Sequence, residues 1–83
     1  MIDIVLDGVT GMEAIHEQLA QALQFPDFYG RNLDALYDCM TDVQTDVTFH
    51  LKNISALGRR GPALQILLQR AAVLNPRIHL EME

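Results

Sequence analysis

Three short segments in which apolar and polar residues alternate limit what this 83-residue chain can fold into. They lie at residues 2–7, 47–51 and 78–83, and each has the two-residue period of a strand with one buried face. The intervening stretches carry apolar stripes with helical spacing. Strands joined through helices are expected to run parallel, with right-handed connections. The sequence therefore predicts an α/β fold built on a three-stranded parallel sheet.

The polar side of each strand predicts the number of layers. A parallel sheet that is covered on both faces has strands that are apolar throughout, whereas here only one side is apolar. We therefore expect two layers, with every helix on the apolar face, in the order β-α-α-β-(short α)-α-β. A chain of 83 residues is the size of one small domain, so residues 1–83 are predicted to form a single domain.

The helical segments have recognisable boundary signals. Thr10 and Glu13 have the spacing of a capping box, which predicts that the Thr10 hydroxyl begins the first helix. Asn32 is suited to cap a second helix. Pro62 fits the first turn of a third helix that runs to about Leu74. These signals predict three helices between the strands, together with a single short turn before the glycine at position 58.

The charges are distributed unevenly along the chain. Residues 1–50 contain nine acidic residues and one basic residue, a formal charge of −8, whereas residues 51–83 carry +3. An acidic face repels nucleic acid, whose backbone is anionic, and suits a basic protein or a cation. We therefore expect a protein partner and no nucleic acid.

The cellular environment is predicted from what the sequence lacks. A single cysteine, Cys39, cannot form an internal disulfide, which fits a reducing compartment. The first residues lack the basic and long apolar regions of a signal peptide, and no apolar run reaches the length of a membrane span. We expect a cytoplasmic protein that does not associate with membranes and is a monomer when free.

The segment predicted as the second helix concentrates acidic residues. Asp34 and Asp38 are four residues apart and Asp42 follows one turn later, a spacing at which like charges repel and weaken a helix. Stability alone would not favour this arrangement. Tyr29 and Tyr37 lie beside the acids. Acids and aromatic residues on one rigid element indicate a docking surface for a positively charged partner.

This same segment resembles the barstar family, small intracellular inhibitors of the secreted bacterial ribonuclease barnase. Family members read aromatic–Tyr–Gly–x–Asn–Leu–Asp–Ala–Leu–aromatic–Asp–Cys here, and this chain has that pattern from Phe28 to Cys39. Outside this segment the resemblance rests on chain length, the order of the elements and the last helix, which starts at Gly61.

The resemblance implies a barstar-like fold and a function, which is to occlude the active site of a guanyl-specific ribonuclease in a one-to-one complex. Asp38 would occupy the place of a substrate phosphate, facing the cations that hold the RNA. The contacts carried over by position are Phe28, Asn32, Leu33, Asp34, Tyr37, Asp38 and Thr41. Tyr29 and Asp42 complete the predicted partner-binding set.

The sequence also departs from the family pattern. Tyr37 replaces a tryptophan, Phe28 replaces a tyrosine, and Asp42 replaces a glycine. Two glutamates of the family's last helix are predicted to fall at Ala71 and Asn75, so a second acidic contact patch is expected to be missing. Asp42 is a candidate to replace that charge. We therefore expect a related ribonuclease or another basic toxin as the partner.

The residues also raise alternatives to ribonuclease inhibition. A barstar-like module that binds a basic protein other than a nuclease is the main alternative. Carboxylates stacked along a rigid helix do not wrap a cation as a calcium loop does, and His50 with His79 supplies too few ligands for a metal. His16 is predicted to be exposed on the first helix. The chain lacks a nucleophile–base pair and a phosphate loop, so we expect no catalysis, metal or cofactor.

Overall fold

The computed structural model describes residues 2–82. Helices and strands alternate in the predicted order, with short 3-10 turns at Gly8–Thr10 and Ile54–Leu57. The elements are β1 (Ile2–Asp7), α1 (Met12–Ala22), α2 (Leu33–Thr41), β2 (Val47–Lys52), α3 (Arg60–Leu74) and β3 (Ile78–Met82).

All strands of the sheet are parallel, and β2 lies in the centre between β1 and β3. The register aligns Ile4 with Phe49 and Phe49 with Leu80, so that one apolar row crosses the sheet. Two helices connect β1 to its neighbour β2, and α3 connects β2 to β3. The predicted fold class is confirmed, and the strand order is new information from the structure.

The core lies between the apolar face of the sheet and the three helices. Leu6, Phe49 and Leu51 on the strands are almost completely buried, and Leu36 and Leu68 on the helices meet them. Burying a side chain of this size stabilises a fold by about 1.5–3 kcal/mol. No helix within residues 2–82 is long and apolar enough to cross a membrane.

The start of α1 differs from the sequence-based prediction. Thr10 belongs to a 3-10 turn, where its hydroxyl donates to the backbone carbonyl of Asp7 at 2.7 Å. The helix begins one residue later, with Gly11 as its N-cap and without a side-chain cap bond. The predicted capping box is therefore wrong, because the hydroxyl is already engaged in the turn that ends β1.

Two glycines allow the turn at residues 54–57 and the residue before it to pack closely against the backbone at positions 8 and 61. A Cβ atom at Gly8 would lie 2.1 Å from the carbonyl oxygen of Asn53, and one at Gly61 would lie 2.4 Å from the carbonyl oxygen of Ile54. Both distances are far below van der Waals contact, and the opposing atoms are backbone. Only glycine therefore permits this packing at either position.

The outer face of the sheet carries the polar residues of the strands. His50 on central β2 bonds through Nε2 to the carboxylate of Asp3 at 3.1 Å and through Nδ1 to that of Glu81 at 3.0 Å. One imidazole thus links all three strands. The bond to Asp3, aided by the charge of Glu81, raises the pKa of His50.

Candidate functional site

The loop before α2 is supported by an aromatic residue that the fold buries. The ring of Tyr29 packs edge-on against Phe25, with centroids 4.9 Å apart, and its hydroxyl lies 2.5 Å from Nδ1 of His16. Burial raises the pKa of Tyr29 to about 12. Burial also lowers the pKa of His16, and the cations of Arg31 and Arg60 act in the same direction. Both groups are therefore neutral at physiological pH.

The N-terminus of α2 is fixed by its cap and by an ion pair to α1. The Oδ1 atom of Asn32 accepts a bond from the backbone N–H of Ala35 at 2.8 Å, which confirms the predicted cap. Arg31, held at a φ of 53°, pairs with the carboxylate of Glu17 at 2.5 Å. These contacts fix the direction in which α2 leaves the loop.

The C-terminus of α2 is fixed by a residue from the end of α3. Asn75 is buried, and its Nδ2 group donates to the carbonyl oxygens of Met40 at 3.0 Å and Val43 at 2.9 Å. The last carbonyls of a helix have no partner within the helix. Asn75 therefore satisfies backbone groups of α2 while it ends α3.

One face of α2 presents only acids to solvent. Asp34, Asp38 and Asp42 are exposed, while Leu36 and Met40 on the opposite side are completely buried. Within residues 2–82, no arginine, lysine or histidine forms a salt bridge with any of the three carboxylates. This acidic face of α2 (Asp34, Asp38 and Asp42) is thus available to a partner.

Open grooves lie on both sides of the acidic face. The first, of ≈ 690 Å³, separates α2 from the end of α1 and includes Phe28, Cys39 and Asp42. The second, of ≈ 730 Å³, separates α2 from α3 and includes Asp34, Tyr37 and Arg70. Asp38 lines both grooves. A partner that covers the helix would therefore enclose Asp38 from two sides.

Most of the predicted site residues share this surface. Phe28 is 87% exposed at the edge of the first groove. Asn32 is exposed, and three further residues are half-buried beside the acids: Leu33, Tyr37 and Thr41. The hydroxyl of Thr41 donates to the backbone carbonyl of Asp38 at 2.8 Å.

Tyr29 differs from the other predicted contacts. It is only 8% exposed, and its hydroxyl faces His16 in the interior rather than solvent. Tyr29 packs between the loop before α2 and the interior of the protein, while its neighbour Phe28 is exposed to solvent. The structure therefore places this predicted partner contact beneath the loop and not on the exposed surface.

Sequence reasoning missed two buried polar residues. His16 was predicted to be exposed but is only 6% exposed, because Tyr29 covers that side of α1. Asn75 follows the predicted end of the third helix, and its bonds to Met40 and Val43 have no local signal in the sequence. Asn75 and Ala71 are both buried, and their exposed neighbours on α3 are Arg70 and Leu74.

The described residues offer no site for a metal ion. Between residues 2 and 82 there is no group of three His, Cys, Asp or Glu side chains placed to hold one. Cys39 is half-buried, and burial together with the charges of Asp38 and Asp42 raises the pKa of its thiol. The reactive thiolate form is thereby disfavoured.

The fold is a small parallel α/β domain in which the acidic face of α2 lies between two grooves, and within residues 2–82 none of its three aspartates forms a salt bridge. Residues 1–74 match the model of the family described as "Barstar (barnase inhibitor)", and the chain belongs to that family. It is also similar to YrdF of Bacillus subtilis (strain 168), which is named as a candidate ribonuclease inhibitor. The two are 48% identical over 56 residues, which are 64% of this chain and 62% of that protein.

Proposed function

We propose that this protein is an inhibitor of a barnase-type ribonuclease and that α2 occludes the active site of the enzyme. Membership of the barstar family and the similarity to YrdF support the class of partner. The observation that carries the proposal is the position of Asp38, which is exposed on α2 and lines the grooves on both sides.

The chemistry of a ribonuclease cleft fits such a carboxylate. The cleft collects cations that stabilise phosphate oxygens in the transition state. A carboxylate on a rigid helix accepts paired bonds from arginine in the same way as a phosphate does. Several cations around Asp38 would compensate for its desolvation, which a single exposed partner would not require. Inhibition then needs no chemical step.

The partner would straddle α2. Phe28 offers an apolar contact on the side of the first groove, and Tyr37 offers one on the side of the second. The net charge of −5 would attract a basic enzyme over distance and speed the encounter. In this proposal the complex is one-to-one and protects the cell that makes the ribonuclease.

The test is a titration of purified barnase with this protein while RNA cleavage is followed at low and moderate salt. We expect stoichiometric inhibition that weakens as salt is added. Asp38→Asn removes the charge without changing the size of the side chain. It should weaken binding by roughly 2–5 kcal/mol, the usual loss when one member of a desolvated charge pair is removed.

Glu13→Gln is the matched control, because Glu13 is an exposed acid on α1 and the variant has the same net charge as Asp38→Asn. It should inhibit almost as well as the unmodified protein. If the Asp38→Asn variant inhibited as well as the unmodified protein, α2 would not be the part of the protein that occludes the active site. A failure to inhibit barnase or related ribonucleases at any ratio would favour a basic partner that is not a nuclease.

A further inference from the structure

The groove between α2 and α3 has walls of opposite charge. Asp34 and Asp38 lie on the α2 side, and Arg70 lies on the α3 side. The remaining lining residues form an apolar floor, apart from the hydroxyl of Tyr37: Leu33, Tyr37, Ala63, Ile66 and Leu67. The groove is open to solvent and has a volume of ≈ 730 Å³.

Arg70 has no partner of its own on α3. The residues three and four positions away, which are its neighbours on the helix surface, are all apolar: Ile66, Leu67, Val73 and Leu74. Positions 61–74 contain no acidic residue. Among residues 2–82, no carboxylate comes within salt-bridge distance of the Arg70 guanidinium, including those of Asp34 and Asp38 across the groove.

A uniformly basic surface would fit only one side of this groove. Its cations would pair with Asp34 and Asp38 but would be repelled by Arg70, and like charges brought together at an interface oppose binding. A carboxylate beside the cations would instead meet the planar guanidinium, which binds carboxylates through paired hydrogen bonds. An apolar side chain between the two charges would cover the floor.

We propose that this groove binds a segment of a protein partner in which an apolar side chain lies between a basic and an acidic residue, with Arg70 pairing with the acid. The inference rests on the proposed function, since the same acidic helix forms one wall. It adds that the partner is dipolar at this point of contact. Arg70 then selects among basic enzymes according to the charge that they bring to α3.

Short peptides can test the groove without the natural partner. The probes are acetyl-Lys-Gly-Trp-Gly-Glu-amide and its neutral counterpart, acetyl-Lys-Gly-Trp-Gly-Gln-amide. This protein has no tryptophan, so a blue shift of the peptide fluorescence reports entry of the indole into an apolar site. Amide NMR shifts on Leu33 and Ile66 would place the bound peptide in the groove.

We expect the glutamate peptide to bind about two- to fivefold more tightly than the glutamine peptide, the range given by one exposed ion pair. Arg70→Gln should abolish this preference. Arg77→Gln removes one exposed positive charge from a residue outside the groove and should retain the preference. Added salt should reduce the preference, because it screens exposed charges.

Equal binding of both peptides, a preference that survives in Arg70→Gln, or no binding of either peptide would each overturn the proposal. The result is independent of ribonuclease inhibition. If the protein fails to inhibit barnase but prefers the glutamate peptide, the groove proposal stands and the proposed ribonuclease partner is wrong. If the protein inhibits barnase but shows no preference between the peptides, the ribonuclease proposal stands and the groove proposal is wrong.

Discussion

The acidic face of α2 and the outer face of the sheet both expose carboxylates, but the fold uses them differently. On the sheet, Asp3 and Glu81 each bond to His50, so both charges have a partner within the protein. On α2, none of the three aspartates has a salt-bridge partner among residues 2–82. The carboxylates of the sheet thus contribute to the fold, whereas those of α2 are exposed without such a bond.

The backbone below the acidic face is nevertheless well held. Asn32 caps the start of α2, and Asn75 bonds to the carbonyls at its end. A surface that is rigid before binding loses little conformational entropy when the partner arrives. Asn32 and Asn75 therefore fix the helix in place, whereas Asp34, Asp38 and Asp42 are displayed on it.

The largest effect on stability is expected at Asn75. Asn75→Ala leaves the carbonyl of Val43 without its donor and removes one of the bonds to the carbonyl of Met40, which also accepts from the backbone N–H of Val43. The loss should be roughly 1.5–4.5 kcal/mol, for one unsatisfied carbonyl and one further lost bond. Asn75→Asp should behave similarly, because an ionised carboxylate cannot donate. Urea denaturation measures the change. Gln69→Ala, an exposed substitution on the same helix, should stay within about 0.5 kcal/mol, and equal losses in both would contradict the role of Asn75.

Removing the Tyr29 hydroxyl, which lies beneath the loop before α2, should have a smaller effect on stability. Tyr29→Phe retains the buried ring but removes the hydroxyl that faces Nδ1 of His16, at a cost of roughly 1–3 kcal/mol. Tyr37→Phe is the matched control, because Tyr37 is half-buried on α2. The control should change stability by less than about 0.5 kcal/mol. If the two substitutions were equivalent in thermal denaturation, the bond to His16 would not support the loop.

The stability that depends on His16 should vary with pH in one direction. Its pKa in the folded protein lies below the ordinary value of 6.5, so the unfolded chain binds a proton first as the pH falls. The free energy of unfolding is therefore greatest above pH 6.5 and declines as the pH falls towards the lowered pKa. Denaturation series in a His50→Gln background would isolate this slope, and a flat profile would contradict it.

The smallest effect on the free energy of unfolding is expected at His50. Its pH dependence has the opposite sign to that of His16. Its pKa in the folded protein is raised, so its bonds to Asp3 and Glu81 stabilise the fold fully below pH 6.5. That stabilisation is lost as the pH rises through the raised pKa. His50→Gln should therefore lower the unfolding free energy in mildly acidic solution and leave it unchanged in alkaline solution. A loss confined to alkaline pH would contradict the pairing.

The fold could be predicted from the sequence because its signals are local. Alternating residues set the strands, and apolar spacing together with Asn32 set the second helix, all of which the structure confirms. The strand order required information on how the elements pack. The capping box at Thr10 failed because a hydroxyl has several local acceptors, and here it donates to Asp7.

The site was predicted less completely, because part of it depends on contacts between distant segments. Helical spacing places His16 at the edge of the apolar stripe of α1, four residues after Met12 and three before Leu19, and the loop around Tyr29 covers that edge. Asn75 is 32 residues from Val43 and 35 from Met40 along the chain. The exposed aspartates were recognisable because their spacing disfavours a helix, and Asn32 because it suits a helix cap. The bonds of Tyr29 and Asn75 join separate segments of the chain and have no such local pattern.

The glycines that hold the turn at residues 54–57 have a consequence for how such proteins diverge. Gly8 and Gly61 admit no side chain, and their close contacts involve no residue of α2. Substitutions that redirect recognition can therefore accumulate on the helix without disturbing this packing. A lineage with this architecture can exchange the side chains that α2 displays, while inheritance of the scaffold depends on two positions away from that helix.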